Sequence, residues 1–268
     1  MNKMVLQPWA DGSEPRRRVI VAFDSGEDNF RHTLYPGYKA DRPEAPEELR
    51  RQQFALIRQA CIAYGFEVAE GLGFEADDVI ATLALQAVTS GATNVTIVSS
   101  DKDLGQLVTR RVGMFNCYSG ERLGPDEVLE KHLAPPGRLA DLLAIAGDKA
   151  DGVRGAEGYG PVNAAKVLAK HATLEEAVAE ICETMSKKKK DPAVIEDTRE
   201  QIFLARSVVE LRTDVPVDIG GSVEAPAFRL GGGQGAGPIL DFWRQLGMQD
   251  LIRKTFRTLG GADEKLTL

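Results

Sequence analysis

Eight acidic residues fall into four tight groups whose types and positions suit one shared site. Asp24 ends an apolar run; Glu75, Asp77 and Asp78 open a stretch of helical spacing; Asp101 and Asp103 follow a second apolar run; Asp148 and Asp151 follow a short apolar segment. Taken singly, each group has a structural explanation, because acids at helix N-termini cap free N–H groups and complement the macrodipole, typically by ~0.3–1 kcal/mol each. Taken together they demand more. Carboxylates ~4 Å apart repel by ~4 kcal/mol at an effective dielectric of about 20, which exceeds any capping gain. Convergence therefore requires a positive partner. Hard divalent cations take oxygen ligands, and a carboxylate-rich site that keeps several waters suits Mg²⁺ or Mn²⁺ better than zinc, which prefers His and Cys. His32, His132 and His171 have no ligand-like spacing and read as surface or packing residues.

The elements that would gather these acids can be read from the apolar pattern. Val19–Phe23 (VIVAF) and Val95–Val98 (VTIV) are compact runs with an acid just beyond each carboxyl end, the pattern of strands buried on both faces of a parallel sheet. Between them, Pro46–Tyr64 and Ala76–Ser90 have helical spacing, with Val79, Leu83 and Ala87 on one stripe and Gly91 as C-cap. Strand, helix, strand predicts an α/β fold whose strand ends line one edge, where crevices form. Leu139–Ala146 predicts a short buried helix, and Pro161 suits the first turn of another that runs to about Lys170. The loop between them (VRGAEGYG) carries Gly155, Gly158 and Gly160, which would let a phosphate approach the backbone at a helix N-terminus. As a hairpin linking two helices it would grip a nucleic-acid backbone without reading sequence. Lys187–Lys190 reads as a solvated loop, with DNA contact the lesser reading, and Gly231–Gly237 as a flexible link to a last amphipathic helix, Ile239–Leu259.

Composition sets the outer bounds. At 268 residues with 43% hydrophobic and 27% charged, the chain is long enough for one large domain or two small ones and is neither disordered nor fibrous. No run approaches the ~20 apolar residues of a membrane span, and Met1–Pro15 lacks the layout of a secretory signal, so a soluble, cytoplasmic protein is expected. Cys61, Cys117 and Cys182 are odd in number and far apart, which fits neither a disulfide framework nor a zinc site. The net charge of -7 argues against a nucleic-acid partner on average, but removing the eight acids leaves 32 acids against 33 bases, so a basic face elsewhere is compatible with it.

Glu-Ala-Asp-Asp at 75–78, Asp-Lys-Asp at 101–103, Gly-Asp-x-x-Asp at 147–151 and the Gly-rich hairpin follow one another in a specific order. On these motifs, from about Val19 to Val217, the chain resembles the 5'-nuclease superfamily, most closely the 5'-3' exonuclease domain of bacterial DNA polymerase I and the flap endonucleases. The resemblance implies a PIN-like, mostly parallel sheet flanked by helices, with a helix-three-turn-helix (helix-hairpin-helix-like) DNA-binding region. It implies two divalent metal ions held by Asp24, Glu75, Asp77, Asp78, Asp101, Asp103, Asp148 and Asp151, with K⁺ at the hairpin. Phe23-Asp24, Phe30-Arg31, Tyr38-Lys39 and Arg42-Pro43 are similar to the family's second strand and the start of its helical arch. The resemblance assigns Arg31 and Lys39 to the scissile phosphate, where spacing alone gives only a solvated basic face. Tyr38, Arg42, Gly155, Gly158, Gly160 and Lys166 are assigned to DNA, and Arg50 and Arg51 could extend that surface.

Two departures are visible. Family members begin with another strand ending in Asp-Gly, a metal ligand, and several dozen residues before the strand at Val19; here 18 residues precede it. Asp11-Gly12-Ser13 imitates that motif, but Glu14–Arg18 is too short for a parallel crossover, which needs a dozen or more residues. The first strand and its ligand are therefore expected to be missing. Gly152 and Arg154 also stand where Asn and Pro are usual.

The resulting expectation is a segment of uncertain structure at 1–18, an α/β core at 19–125, a DNA-binding region at 126–215 and a C-terminal segment at 216–268 packing back on the core. The resemblance implies a nuclease acting on 5' flaps, nicks or branched DNA in replication and repair, monomeric, nucleoid-associated and with a DNA polymerase as a further partner. The alternative is a structure-specific DNA-binding protein with weak or no nuclease activity. A PIN-like ribonuclease would share the acidic core but not explain the hairpin, and a haloacid-dehalogenase-type phosphatase is disfavoured because Gly26 stands where it needs a second Asp.

Overall fold

The computed structural model describes residues 18–25, 29–42, 46–92, 94–219 and 236–258. In chain order its elements are β1 (Ile20–Ala22), α1 (Phe30–Leu34), α2 (Glu47–Tyr64), β2 (Glu67–Glu70), α3 (Ala76–Thr89), β3 (Val95–Val98), β4 (Val112–Phe115) and β5 (Arg122–Leu123). They continue with α4 (Pro125–His132), α5 (Leu139–Ala146), α6 (Pro161–Leu168), α7 (Leu174–Lys187), α8 (Pro192–Val209), β6 (Asp218–Ile219), α9 (Gly237–Gln245) and α10 (Gln249–Thr258). The fold is α/β, with mixed three-stranded sheets flanked by helices.

Contacts divide the chain into two units. One takes the described residues of Met1–Asp24, Pro43–Gly71 and Pro216–Leu268; the other takes Ser25–Arg42 and Leu72–Val215. The segment expected as a single core over 19–125 is thus split. Its strands β1 and β2 belong with the C-terminal segment because β6 pairs antiparallel with β2 and α9 packs on α2.

In the first unit β1 runs parallel to β2, with Val21 opposite Val68, and Phe23, Cys61 and Val68 form a small core. Gly65, at φ 88, caps α2 and turns the chain into β2. Tyr64 lies against Phe66 and Trp243 and bonds Thr255 through its hydroxyl at 3.3 Å, which seats α9 and α10 on α2. The single C-terminal helix expected from the pattern is two helices. Gly247, at φ 65, reverses the chain between them. Asp11-Gly12-Ser13 and most of the Gly231–Gly237 link, residues 231–235, lie outside the described residues.

In the second unit β3 runs parallel to β4, and β5 pairs antiparallel with β4. The expectation that β3 is buried on both faces fails: Ile97 is buried, but Thr96 and Val98 are exposed, Val98 at 61%. Ile97 packs with Ala81, Ala84, Leu104, Met114 and Val128, placing α3, β3 and β4 around one core. A second core surrounds α5, seven of whose eight residues are buried among α6, α7 and α8. Lys187, the last residue of α7, and Lys188–Lys190, which follow it, are exposed. Cys61 and Cys182 are buried and Cys117 half-buried, all as free thiols. No helix among the described residues is long and apolar enough to cross a membrane.

Candidate active site

Turns after β3 and after α5, and the N-terminus of α3, converge within the second unit on one cleft. Lys39, Glu75, Asp77, Asp101, Asp103 and Asp151 line it. Asp101 bends the chain after β3, its Oδ1 accepting the Asp103 N–H at 3.0 Å. Asp148 and Val153 exchange backbone hydrogen bonds at 2.9 and 2.8 Å, which closes the loop carrying Asp151. Asp103, Asp148 and Asp151 each present a carboxylate oxygen within 4.8 Å of the others.

Burial and charge make this cluster costly by itself. Burial first, then the carboxylates of Asp148, Asp101 and Asp151, push Asp103 up to about 7, against the opposing pull of Lys102. Asp103 Oδ1 is buried with no hydrogen-bond partner among the described residues. Lys102 answers part of the charge, its Nζ 2.6 Å from Asp148 Oδ2. A buried, unsatisfied oxygen amid crowded carboxylates is the donor set a hard divalent cation takes, so the residues fit such a metal.

The cationic side is built by residues 29–42. Asn29 caps α1, and Arg31 is 2% exposed, its Nη1 and Nη2 at 2.5 and 2.7 Å from Asp78 and its Nε donating to the Val208 carbonyl at 2.7 Å. Burial opposes the guanidinium charge, but the hydrogen bonds and charge of Asp78 outweigh it and raise its pKa. Arg31 therefore lines the cleft with its guanidinium held by Asp78 and, at 3.6 Å, beside Glu75, and is not the solvated basic face that spacing alone gives. Asp78, fully buried, has both oxygens engaged by Arg31, so it is not an open ligand.

Lys39 and Arg42 are more exposed. Lys39 sits at φ 54, an unusual conformation for a side chain with a Cβ, held by its N–H bond to the Asp151 carbonyl at 2.9 Å. Its Nζ lies 2.6 Å from Glu75 Oε1 and 3.9 Å from Asp151 Oδ2, bridging the two acid groups. Arg42 is more than half exposed and reaches Asp151 Oδ1 at 2.7 Å. Tyr38, expected on the DNA surface, is 4% exposed and donates its hydroxyl to Glu75 Oε2 at 2.9 Å. Burial, then Glu75 and Asp151, hold its phenol far above the usual range, so it remains a donor.

Asp24 is exposed after β1, in the first unit. Gly155 serves packing: a Cβ there would lie 2.3 Å from the backbone of Ala146 and Gly147. Gly158, at φ 83, and Gly160, the N-cap of α6, face open space, and Lys166 is exposed on α6. Arg154, a departure from the family pattern, donates to Gln201 Oε1 at 3.0 Å and accepts from its Nε2 at 3.1 Å, tying the hairpin to α8. Sequence reasoning overlooked Asn29 and Lys102. Lys102 lies inside the Asp-Lys-Asp motif, and Asn29 directly precedes the apolar start of α1, so position was their signal.

Comparisons with known proteins agree on one family. Residues 2–132 match the 5'-3' exonuclease N-terminal resolvase-like domain, and residues 134–226 match the 5'-3' exonuclease C-terminal SAM fold. DNA polymerase I of Rhizobium leguminosarum is 43% identical over 201 residues, covering 75% of this chain and 19% of that protein. DNA polymerase I of Bacillus caldotenax is 33% identical over 255 residues, covering 94% of this chain and 28% of that protein. The chain thus spans less than a third of the length of these relatives. Among solved structures, a bacteriophage T5 flap endonuclease complex with DNA and metal ions superposes with a TM-score of 0.58 at 18% identity, over 91% of this chain and 85% of that one. With two successive domain descriptions matched along most of its length, the chain belongs to the 5'-3' exonuclease family.

Proposed function

We propose that this chain is a metal-dependent phosphodiesterase that cleaves DNA at 5' ends, nicks or flaps, leaving a 5'-phosphate and a 3'-hydroxyl. The observation that carries the reading is the meeting of Asp103, Asp148 and Asp151 oxygens within 4.8 Å around the partnerless Asp103 Oδ1. An all-oxygen donor set favours Mg²⁺ or Mn²⁺. Two such ions, when bound, supply Lewis acidity and an activated water at the scissile phosphate. Asp101, Asp103, Asp148 and Asp151 would hold one ion; Glu75 and Asp77 would hold the other, with Asp24 assigned to it from sequence alone. Lys39 and Arg42 exchange their carboxylate partners for the phosphate and offset its charge as it is attacked. Arg31 and Asp78 act behind them as a buried pair that fixes α1 against α3.

The open backbone at Gly158 and Gly160 and the exposed Lys166 receive a DNA backbone, with K⁺ as the bridging cation. The T5 complex with DNA and metal ions supports DNA as partner and metal ions as cofactor. The same reading takes in a DNA polymerase partner and a cytoplasmic, nucleoid-associated, monomeric enzyme; the DNA polymerase I relatives support the polymerase and the cytoplasmic setting.

The test is hydrolysis of a labelled 5'-flap duplex by purified protein with Mg²⁺ or Mn²⁺, and again with EDTA. Cleavage only with metal is the expected result. Binding to the branched duplex without turnover would instead identify a structure-specific DNA-binding protein.

A further inference from the structure

Asn29 stands where three features of the second unit meet. It is 6% exposed and in extended conformation, and its Oδ1 accepts the Arg31 N–H at 2.8 Å, capping α1. Its Nδ2 donates to Glu75 Oε1 at 3.1 Å. The amide orientation is fixed chemically, since only the oxygen end can accept a backbone N–H and only the nitrogen end can face a carboxylate. Other capping residues cannot do both. Ser or Thr has one oxygen, too short to span from the cap to Glu75, and Asp would set a second anion against it.

Glu75 itself begins α3, and α1 is stitched to that turn by the Phe30 N–H bond to the Gly73 carbonyl at 3.3 Å and by the Arg31–Asp78 pair. Its carboxylate has two kinds of partner. Two are cationic: Lys39, which would give way to a divalent ion by charge competition, and Arg31, 3.6 Å away and held in place by Asp78. Asn29 and Tyr38 are neutral donors and would not give way.

We propose that Asn29 is a positioning residue for Glu75: its amide fixes the carboxylate toward the cleft through the exchange of Lys39 for a metal ion, and couples that orientation to the capped start of α1. This rests on the metal-dependent reading above. Neutral second-layer donors of this kind are worth ~10–100-fold in metal affinity or activity.

The test is calorimetric Mn²⁺ titration of the full chain as wild type, Asn29→Ser, Glu75→Gln and the double variant, alongside thermal unfolding. Asn29→Ser keeps a capping oxygen and loses the donor. It should weaken Mn²⁺ binding ~10-fold or more, leave the unfolding midpoint close to wild type, and have no further effect in the Glu75→Gln background. Should Asn29→Ser not fold, Asn29→Thr serves in its place, its hydroxyl capping but equally unable to reach Glu75. Unchanged Mn²⁺ affinity in a folded Ser or Thr variant, or an equal effect with and without Glu75, overturns the inference. Absence of Mn²⁺ binding by the wild type defeats the metal-dependent reading itself, and this inference with it.

Discussion

Arg31 and Arg42 lie eleven positions apart yet answer different demands. The Arg31–Asp78 pair is enclosed, and breaking a buried pair from one side leaves an uncompensated charge that costs ~3–5 kcal/mol. Arg31→Gln is therefore expected to lower the urea midpoint steeply. Arg42→Gln, at a half-exposed site, should leave the midpoint unchanged and reduce flap cleavage. Equal losses of stability in both variants would contradict this division. Asp101→Asn keeps the oxygen that accepts the Asp103 N–H and removes a negative charge from the cleft. Cleavage should fall at least ~100-fold with the circular dichroism spectrum unchanged. Asp103 gives a pH signature. With its folded-state value raised to about 7 from 3.8, the folded protein retains a proton that the unfolded chain releases between those values. Stability of the metal-free protein therefore falls as pH rises from about 4 to about 7, and Asp103→Asn should flatten that slope in urea titrations made in EDTA.

Among the elements, the loop from α5 to α6 is the most constrained. Asp148 and Val153 bridge it at the base, Gly155 lies against the end of α5, and Arg154 and Gln201 tie it to α8. Gly155→Ala would drive a Cβ into the backbone of Ala146 and Gly147, neither of which can rotate away. A destabilisation of at least ~2–3 kcal/mol is expected, measured by chemical denaturation. Gly160→Ala meets open space and should leave stability within ~1 kcal/mol of wild type while weakening binding to branched duplex. The reverse ranking would mean that the glycines serve the fold throughout the loop and leave no open backbone for a phosphate.

For the molecule as a whole, a net charge of -7 coexists with a proposed polyanionic partner because eight acids are concentrated in four tight groups. Binding by the remaining bases is a contest with counterions. Affinity for branched duplex should drop as salt rises, with a slope of about -0.9 per phosphate neutralised. Fluorescence anisotropy between low and moderate salt measures this, and a flat response would exclude the backbone-gripping surface.

The motifs at 75–78, 101–103 and 147–151, the α/β class and the helical hairpin were legible in the sequence because they depend on local chemistry: apolar period, turn residues and acids at element ends. Lys39 was singled out by resemblance to a family and not from spacing. The tertiary structure alone decided which charges are consumed internally. Arg31 and Asp78 look no different in sequence from Lys39 and Asp103, yet Arg31 and Asp78 are buried and bound to each other in a bidentate pair, whereas Lys39 and Asp103 are less buried at the cleft. It also decided that Tyr38 turns inward, that Gly155 serves packing, and that β6 pairs with β2 and so joins the C-terminal segment to the unit of β1 and β2. Periodicity specifies which face of an element is apolar; desolvation and partner choice depend on what long-range packing sets against that face, and no local pattern encodes it.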